Sequence, residues 1–426
     1  MAAMSNTQSV AVQLEKVRRK LPLMYERDDV LFAQIKARGD VERVSTRNMR
    51  IPLKLRPGGK YGQADMDGGD LGRGSGTTYE VATVTPIFFR MGVEITKLVE
   101  YATNSSEKAV ANAAKKEVME AMAQFRAALD KHSQTSGNGI LATITAVAGG
   151  GANITALNTT NPHGVQLLYF NQKVSIYDTT LATNRGTATI TAIDYDAQTL
   201  TLTTGGNEGT VTLANIVATD VILPDGVTGA TPTSLFGLKY HQSAAATGTW
   251  LNLNRANLPE IRTPTFNAGG AGLTVGMVRL AINKIKKALG INGVGKLLAY
   301  MNLEQEHAYE QLGVGITQIT TPGRVQGDLE LLFNGKKTMA GLPLTLSINA
   351  DPTRIDFLDM SHWGRAVMQD IDYFEVGNDT IFPVYGASGG LAAAYLFYFI
   401  TGFQIWNDSP RSGSYIQNLS KPAGYV

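Results

Sequence analysis

Two stretches of the chain spell motifs that bind phosphate or carry a nucleophile. Gly290 to Lys296 (GINGVGK) fits GxxxxGK, a loop whose backbone amides cradle phosphate at the start of a helix. Here Leu297 stands in place of the magnesium-binding Ser or Thr, and the pattern predicts a helix before the loop and a strand after it, the reverse of the required order. Gly386 to Gly390 fits GxSxG, the turn that carries the nucleophilic serine of a hydrolase. The catalytic histidine should follow that serine in the sequence, but the last histidine of the chain, His362, precedes it. We therefore expect neither nucleotide binding nor serine hydrolase chemistry, and we predict a turn between strands at Gly386.

The residues that could bind metal ions are not arranged in a recognisable ligand set. Asp65, Asp67 and Asp70 resemble the start of a calcium loop, but Gly69 and Gly76 stand at ligand positions. The histidines lack HExxH spacing; they are His132, His163, His241, His307 and His362. The chain has no cysteine, which excludes disulfides, thiolate zinc sites and cysteine nucleophiles. We predict no metal, no cofactor and no enzymatic activity.

The composition also excludes several classes of binding protein. The 426 residues include 38 Lys and Arg against 36 Asp and Glu, a formal charge of +2, so sequence-specific DNA binding is not favoured. The opening residues have no apolar segment typical of a secretory signal. The longest apolar run, Leu391–Trp406, has 16 residues and includes polar Thr401 and Gln404. It is shorter than the roughly 18 residues of a membrane helix, so we predict a buried strand and no membrane association.

The elements that would position these residues change character along the chain. Residues 1–50 carry ten Lys and Arg against six acids and are predicted to form an arm. Apolar residues then alternate over Ile51–Leu55, Tyr79–Val84 and Phe89–Ile95, which predicts strands. Residues 57–76 hold eight glycines. Together these patterns predict a long two-stranded hairpin with a glycine-rich tip.

A long helix and a β-rich segment are predicted next. Apolar residues recur every three or four positions from Asn104 to His132, a spacing typical of a helix about 40 Å long. Only eight of the 97 residues from 139 to 235 are charged. Their short alternating runs, separated by turn residues, predict an inserted all-β barrel or sandwich.

The last part of the chain mixes helical and strand periods. A helix is predicted from its cap Thr274 to Gly290, followed by a strand at Lys296–Tyr300 and a helix that ends at Gly313. Several strands are predicted over residues 341–408. The fold class that follows is α+β.

This order of elements resembles the major capsid protein of tailed bacteriophages, a fold shared with the herpesvirus capsid floor and with encapsulins. The sequence RIPLKLRPGGKYGQADMDGG resembles the extended loop of that family. Thr103–His132 resembles its spine helix, and Gly341–Pro343 resembles the strand that follows the loop of its axial domain. The resemblance of layout covers about three quarters of the chain and leaves out the β-rich segment.

The resemblance implies a division of the chain into six parts. They are an N-terminal arm at 1–50, an extended β-hairpin loop at 51–97, the spine helix and start of the peripheral domain at 98–146, a β-rich insertion domain at 147–235, a mainly axial domain at 236–340, and axial-to-peripheral return strands with the C-terminus at 341–426. Within them, Val275–Gly313 would be axial and Phe357–Ile416 would return to the peripheral domain.

The resemblance also implies a structural function. Copies of the chain would assemble into pentamers and hexamers of an icosahedral head around double-stranded DNA, built in the host cytoplasm and located in the virion. Portal, scaffold and decoration proteins would be further partners. An encapsulin-like compartment remains an alternative, as does, from another class, a β-rich phage tail protein or adhesin.

Residue roles follow from the same resemblance. Contacts between subunits are expected from the extended loop, at Lys54, Arg56, Lys60, Tyr61, Asp65, Asp67 and Arg73. Residues of the arm and spine helix are expected to face DNA nonspecifically, namely Arg18, Arg19, Lys20, Lys115, Lys116, Arg126 and Lys131. Some relatives seal the shell with a Lys–Asn bond assisted by a glutamate. Lys54 or Lys60 could supply that lysine, but Gly386–Phe399 contains no acid, so we predict a non-covalent shell.

Overall fold

The fold combines five helices with 22 strands in the part of the chain that the structure describes. The computed structural model describes residues 29–38, 40–44, 47–63, 67, 69, 72–96, 107–150, 153–157, 163–205, 209–227, 234–291, 295–317, 338–376, 379–385 and 389–422. The helices are α1 (Val30–Arg38), α2 (Glu107–Ser133), α3 (Leu238–His241), α4 (Val275–Leu289) and α5 (Leu303–Thr317). The strands are β1 (Asp40–Arg43), β2 (Met49–Arg56), β3 (Thr78–Val84), β4 (Ile87–Thr96), β5 (Ala142–Thr143), β6 (Ala146–Gly150), β7 (Asn153–Leu157), β8 (Lys173–Tyr177), β9 (Asn184–Asp194), β10 (Thr199–Thr203), β11 (Val221–Pro224), β12 (Thr249–Trp250), β13 (Leu253–Asn254), β14 (Thr265–Asn267), β15 (Leu297–Met301), β16 (Thr338–Met339), β17 (Leu342–Leu346), β18 (Ile355–Asp359), β19 (Trp363–Tyr373), β20 (Phe382–Tyr385), β21 (Leu391–Asn407) and β22 (Ser414–Gln417). The α+β class predicted from the sequence is confirmed.

A five-stranded sheet forms the first core. Its centre is β21, a 17-residue strand that pairs with β4 on one side and with β19 and β20 on the other, while β1 extends the sheet beyond β19. Phe399 and Phe403 of β21 pack against Phe125 and Leu129 of α2. The strand predicted for the apolar run Leu391–Trp406 is therefore confirmed, and no helix among the described residues is long and apolar enough to span a bilayer.

Two segments of the predicted arm and hairpin belong to this core. Helix α1 buries Leu31 and Ile35 in it, so part of the predicted arm is packed into the body of the protein. Strand β4, predicted as part of the hairpin, instead pairs with ten residues of β21. Pro86, between β3 and β4, has no backbone N–H to continue a ladder, and Phe89 packs against the core.

A buried carboxylate connects three elements of this core. Asp130, near the end of α2, is fully buried. Its Oδ1 accepts the backbone N–H of Phe32 in α1 at 2.8 Å, and its Oδ2 accepts Nδ2 of Asn349, after β17, at 2.9 Å. Buried polar groups need such partners, so this side chain fixes how the two helices meet the loop after β17.

A six-stranded sheet forms a second core with α4 and α5. The strand order is β14-β22-β18-β15-β17-β16. Thr274 caps α4, because its side chain accepts the N–H of Met277, and α4 ends at Gly290 with φ +89°. Both predicted ends of α4 are confirmed.

Two sequence predictions about this second core are wrong. Helix α5 does not stop at Gly313 but continues to Thr317, because one helical glycine costs only about 1 kcal/mol and is compatible with continuation. Residues Phe357–Ile416 do not all return to the sheet under α2. Strand β18 pairs with β15 and β22 in the six-stranded sheet, and only β19–β21 lie in the five-stranded one.

The β-rich segment forms one antiparallel sheet rather than a barrel or sandwich. Its seven strands follow the open order β5-β11-β8-β9-β10-β7-β6. Alternating residues such as Val174, Ile176, Ile190 and Leu202 bury one apolar cluster. The sheet begins at Ala142, earlier than the boundary predicted at residue 147.

Candidate assembly surface

The hairpin β2–β3 lies on a segment of its own chain. Alternation along both strands buries Leu53, Ala82 and Val84 against Trp250 and Ile261. The backbone N–H of Thr83 also donates to the carbonyl of Leu251 at 3.0 Å. The base of the hairpin is therefore a fixed part of the fold, and the segment 249–261 supports it instead of joining the core of the six-stranded sheet.

An ion pair holds the outer end of β2. Arg56 donates from Nε to Oε1 of Glu260 at 2.7 Å and from Nη2 to Oε2 at 3.3 Å, the paired geometry that makes arginine–carboxylate contacts specific. The hydrogen bond from Arg56 lowers the pKa of the Glu260 carboxyl below its ordinary value. Arg56 was predicted to contact another subunit. In the structure its guanidinium is already bound by its own chain.

Beyond Arg56, the two arms of the hairpin stay together through glycine contacts. Gly59 donates its N–H to the carbonyl of Ser75 at 2.8 Å, and Ser75 Oγ donates to the carbonyl of Gly59 at 3.0 Å. A Cβ at Gly58 would lie 2.9 Å from the backbone nitrogen of Thr77, so the arms approach too closely for a side chain. The hairpin is therefore closed as far as Gly59 and Ser75.

The tip of the hairpin, residues 60–74, exposes the side chains predicted to contact other subunits. Tyr61 has a relative exposure of 102%, which is unusual because a tyrosine ring is normally half-buried. The other described members of the predicted set are exposed as well, namely Lys54, Lys60, Asp67 and Arg73. Asp65 lies outside the described residues. Contact with another subunit stays a prediction for all of them.

A second exposed surface lies at the far end of the five-stranded sheet, and sequence reasoning missed it. We call it the sheet tip and define it by five exposed apolar side chains, Phe374, Val376, Ile381, Tyr385 and Leu391. Leu391 is 73% exposed and pairs with Tyr385 across β20 and β21. Four exposed acids flank it, at Asp370, Asp372, Glu375 and Asp379. Strand periodicity alone cannot show that one end of a strand extends beyond the core.

The comparisons with known proteins agree with this architecture. No protein-family model and no curated protein matches the sequence. Among solved structures, the capsid asymmetric unit of cyanophage A-1(L) matches with a TM-score of 0.59 and 12% identity, covering 98% of this chain and 100% of that one. The chain has the fold of a phage capsid subunit. The capsid fold expected from the order of elements is thereby confirmed.

Two further structures match over almost the whole chain at lower similarity. The capsid of a native GTA particle has a TM-score of 0.47 and 10% identity, covering 99% of this chain and 100% of that one. The SrpI encapsulin of Synechococcus elongatus PCC 7942 has a TM-score of 0.45 and 8% identity, covering 98% and 97%.

In this capsid fold, two of the side chains predicted to face DNA are described, those of Arg126 and Lys131, and neither is exposed. Lys131 is 2% exposed, and its Nζ donates to the carbonyl of Leu168 at 2.9 Å, so that prediction is wrong for the isolated subunit. Arg126 is half-buried. Lys115 and Lys116 lie in α2. The remaining three, Arg18, Arg19 and Lys20, lie outside the described residues.

The histidines of the capsid fold that could have served catalysis are held neutral by burial. His241 Nδ1 accepts the indole N–H of Trp250 at 3.2 Å, which leaves Nε2 to donate to the carbonyl of Ile405 at 3.1 Å. Burial lowers the pKa of His241 to about 3. Burial, reinforced by neighbouring Lys131, lowers that of His132 to about 4. These rings contact side chains and backbone groups of the core.

Two ion pairs connect α3 and Gln242 to β18 and the loop before it. Lys239 of α3 binds Asp351 at 2.8 Å, and His163, from the β-rich segment, is buried near this pair. Burial acts to raise the pKa of Asp351, but Lys239 outweighs it and the pKa is lowered. Arg354 donates hydrogen bonds from Nε and Nη2 to the carboxylate of Asp356, and Nη2 also donates to the carbonyl of Gln242.

The motifs set aside on sequence grounds occupy structural positions. Gly290–Lys296 connects the end of α4 to β15, the helix-to-strand order that was predicted. Gly386–Gly390 connects the antiparallel strands β20 and β21, as expected for a turn; Ser388 lies outside the described residues. Within the described part of the chain, no group of three or more His, Asp or Glu could hold a metal ion.

Proposed function

We propose that this chain is the structural subunit of a phage head, which assembles into pentamers and hexamers of an icosahedral shell around double-stranded DNA. The observation that carries the proposal is the capsid fold across 98% of the chain. The hairpin adds to it, because its base is fixed by the chain itself and the described side chains of its tip are exposed. A side chain such as Tyr61 gains burial only when another copy covers it.

The physical requirements of a shell fit the composition. With no cysteine for a disulfide and no acid in Gly386–Phe399 to assist a Lys–Asn bond, we expect the subunits to hold one another through buried area and polar contacts. We therefore propose a non-covalent shell. Denaturing electrophoresis of purified particles should give one band near 45.7 kDa. A ladder of covalent multimers would contradict this part of the proposal.

The assembly test uses a variant that removes only the tip. Residues 60–74 are replaced by Asn-Gly, a pair that closes two-residue hairpins, so that the Gly59–Ser75 contact and the Arg56–Glu260 ion pair remain. We expect electron microscopy to show closed shells or capsomer rings for the unmodified chain. The variant should keep the same melting temperature and should sediment as a monomer.

A wild-type chain that stays monomeric, with or without a scaffold protein, would refute the proposal. Normal shells from the tip variant would refute only the role assigned to the hairpin. The contents of the particles distinguish the two containers. Duplex DNA in particles purified from infected cells supports a phage head, whereas an enclosed protein cargo supports an encapsulin-like compartment.

A further inference from the structure

A long stretch of the six-stranded sheet and its helices carries only positive charge. The 43 residues from Ile261 to Leu303 include six Lys and Arg and no Asp or Glu. The chain as a whole is nearly neutral at +2. Four of the six cations lie on α4, at Arg279, Lys284, Lys286 and Lys287.

The structure places three of these six charges on one outer face. Helix α4 buries Val278, Ala281 and Ile285, while Arg279, Asn283, Lys286 and Lys287 are exposed. Arg279 and Lys286 are seven residues apart and therefore lie on the same side of the helix, about 10 Å from each other. We call the exposed set Arg279, Asn283, Lys286 and Lys287 the basic face.

The elements that pack against α4 do not neutralise this face. They are β14, β22 and the turn Pro410–Ser412, and none of their residues is acidic. The turn adds a further cation, Arg411. Lys284 is not counted in the basic face, because its Nζ donates to the carbonyl of Thr265 and lies 5.5 Å from the centre of the Phe266 ring.

We propose that the basic face binds the phosphate backbone of duplex DNA without regard to base sequence. This inference rests on the proposed function as a DNA container, for which it names the contact surface. Duplex DNA carries one negative charge per about 1.7 Å of axis, so a face about 10 Å long spans several phosphates.

The make-up of the face favours DNA over a protein partner. Protein interfaces have cores depleted in charge, whereas protein–DNA interfaces are polar and strongly positive. The line from Arg279 through Asn283 to Lys286 is polar, and the half-exposed Leu280 lies at its edge beside Lys287. Three exposed cations give a weak, salt-sensitive contact, which suits a surface that must hold packaged DNA without fixing it in place.

The test measures binding of the full-length, unassembled chain to two fluorescent duplexes of unrelated sequence, by anisotropy, across a series of salt concentrations. The variant R279Q/K286Q/K287Q should bind at least tenfold more weakly at low salt. Its slope of log affinity against log salt should fall by about 2.7, at about 0.9 per lost phosphate contact. Both duplexes should behave alike.

The control variant R47Q/R50Q/R90Q removes three other exposed cations and the same net charge. It should bind like the unmodified chain. The inference is overturned if both variants lose affinity equally, if the α4 variant loses none, or if poly-glutamate displaces the DNA at lower charge concentration than competing duplex. Matched thermal melts verify folding of both variants.

Microscopy of the same proteins separates this inference from the proposed function. Shells that form normally from the α4 variant, together with its weaker DNA binding, support both. A chain that never assembles but loses DNA binding in the α4 variant contradicts the shell function and leaves the basic face as a DNA-binding surface.

Discussion

At the scale of single residues, the polar groups inside this subunit join elements that are far apart in the sequence. Asp130 accepts hydrogen bonds from Phe32 and Asn349, and Gln134 donates to the hydroxyl of Tyr300 at 2.8 Å. Each group is fully or almost fully buried. Such contacts cost stability mainly when one partner is removed, because the other is then left without a partner in the core.

Replacing Asp130 should therefore lower the free energy of unfolding substantially. Asp130→Ala leaves the N–H of Phe32 and the amide of Asn349 without their acceptor, at about 1–3 kcal/mol for each. We expect a loss of about 2–6 kcal/mol in the free energy of unfolding, measured with urea. Asp225→Ala, at an exposed turn, should change it by less than about 0.5 kcal/mol. Equal effects of the two substitutions would show that the hydrogen bonds of Asp130 do not stabilise the fold.

Buried histidines should make the subunit sensitive to mild acid. His241 has its pKa lowered to about 3 by burial, against an ordinary value near 6.5. Between about pH 6.5 and pH 3, the His241 ring is protonated in the unfolded chain and neutral in the folded one. The stability from this residue is complete above pH 6.5 and falls by about 1.4 kcal/mol per pH unit as pH is lowered through that window.

The measurement is the free energy of unfolding between about pH 5.5 and 4.5, where an unfolded histidine is almost fully protonated. Glutamine can reproduce both hydrogen bonds of the His241 ring without titrating, so His241→Gln should reduce the pH slope by one proton. His362→Gln is the control. Its hydrogen bond to Asp408 raises the pKa of His362, so that residue is protonated in both states over this range and the slope should not change.

At the scale of elements, the hairpin combines a fixed base with an uncovered tip. The Arg56–Glu260 ion pair and the Gly59–Ser75 hydrogen bonds follow one another along its length. The self-contacts of the described residues therefore fix the hairpin from its base to the Gly59–Ser75 pair.

Gly58 is the position at which the close approach of the two arms can be tested. Gly58→Ala places a Cβ at 2.9 Å from the backbone nitrogen of Thr77, which real Cβ contacts do not tolerate, so the arms must separate. We expect hydrogen exchange of the Gly59 amide to accelerate at least tenfold. Gly62→Ala meets nothing within 4 Å and should leave the exchange rate unchanged. Unaltered exchange in Gly58→Ala would mean that the arms do not approach this closely.

Local signals predicted some elements and could not predict others. The cap Thr274 and the stop Gly290 define α4 from neighbouring residues, so its ends could be read directly. The partner of β4 could not, because β21 lies about 300 residues away. Likewise, Lys131 has the spacing of a surface lysine on an amphipathic helix, but its Nζ is bound by the carbonyl of Leu168, from the segment before β8. Pairing and burial across long separations have no local signature.

At the scale of the whole molecule, the subunit exposes more apolar surface at the sheet tip than its own stability needs. Patches of this kind on soluble proteins mark sites of association. The proposed shell supplies the partner, since another copy can cover the sheet tip that this chain leaves open.

Removing apolar area there should affect assembly and not folding. In the double variant I381S/L391S, both side chains are more than half exposed, so the melting temperature should stay within about 2 °C. Sedimentation should show assembly that begins only at higher protein concentration. Val217→Ser, at another exposed apolar position, is the control and should assemble normally. Unchanged assembly of the double variant would exclude the sheet tip from the contacts.

The central strand β21 also sets when this protein can fold. Its ladder with β4 joins residues about 300 positions apart, and ribosomes add about 5–20 residues per second. The apolar face of β4 therefore waits on the order of 15–60 s for its partner during synthesis. Throughout that time Phe89 and Met91 have no β21 to pack beside, so the growing chain depends on a holding chaperone or on rapid release from crowded polysomes to avoid aggregation.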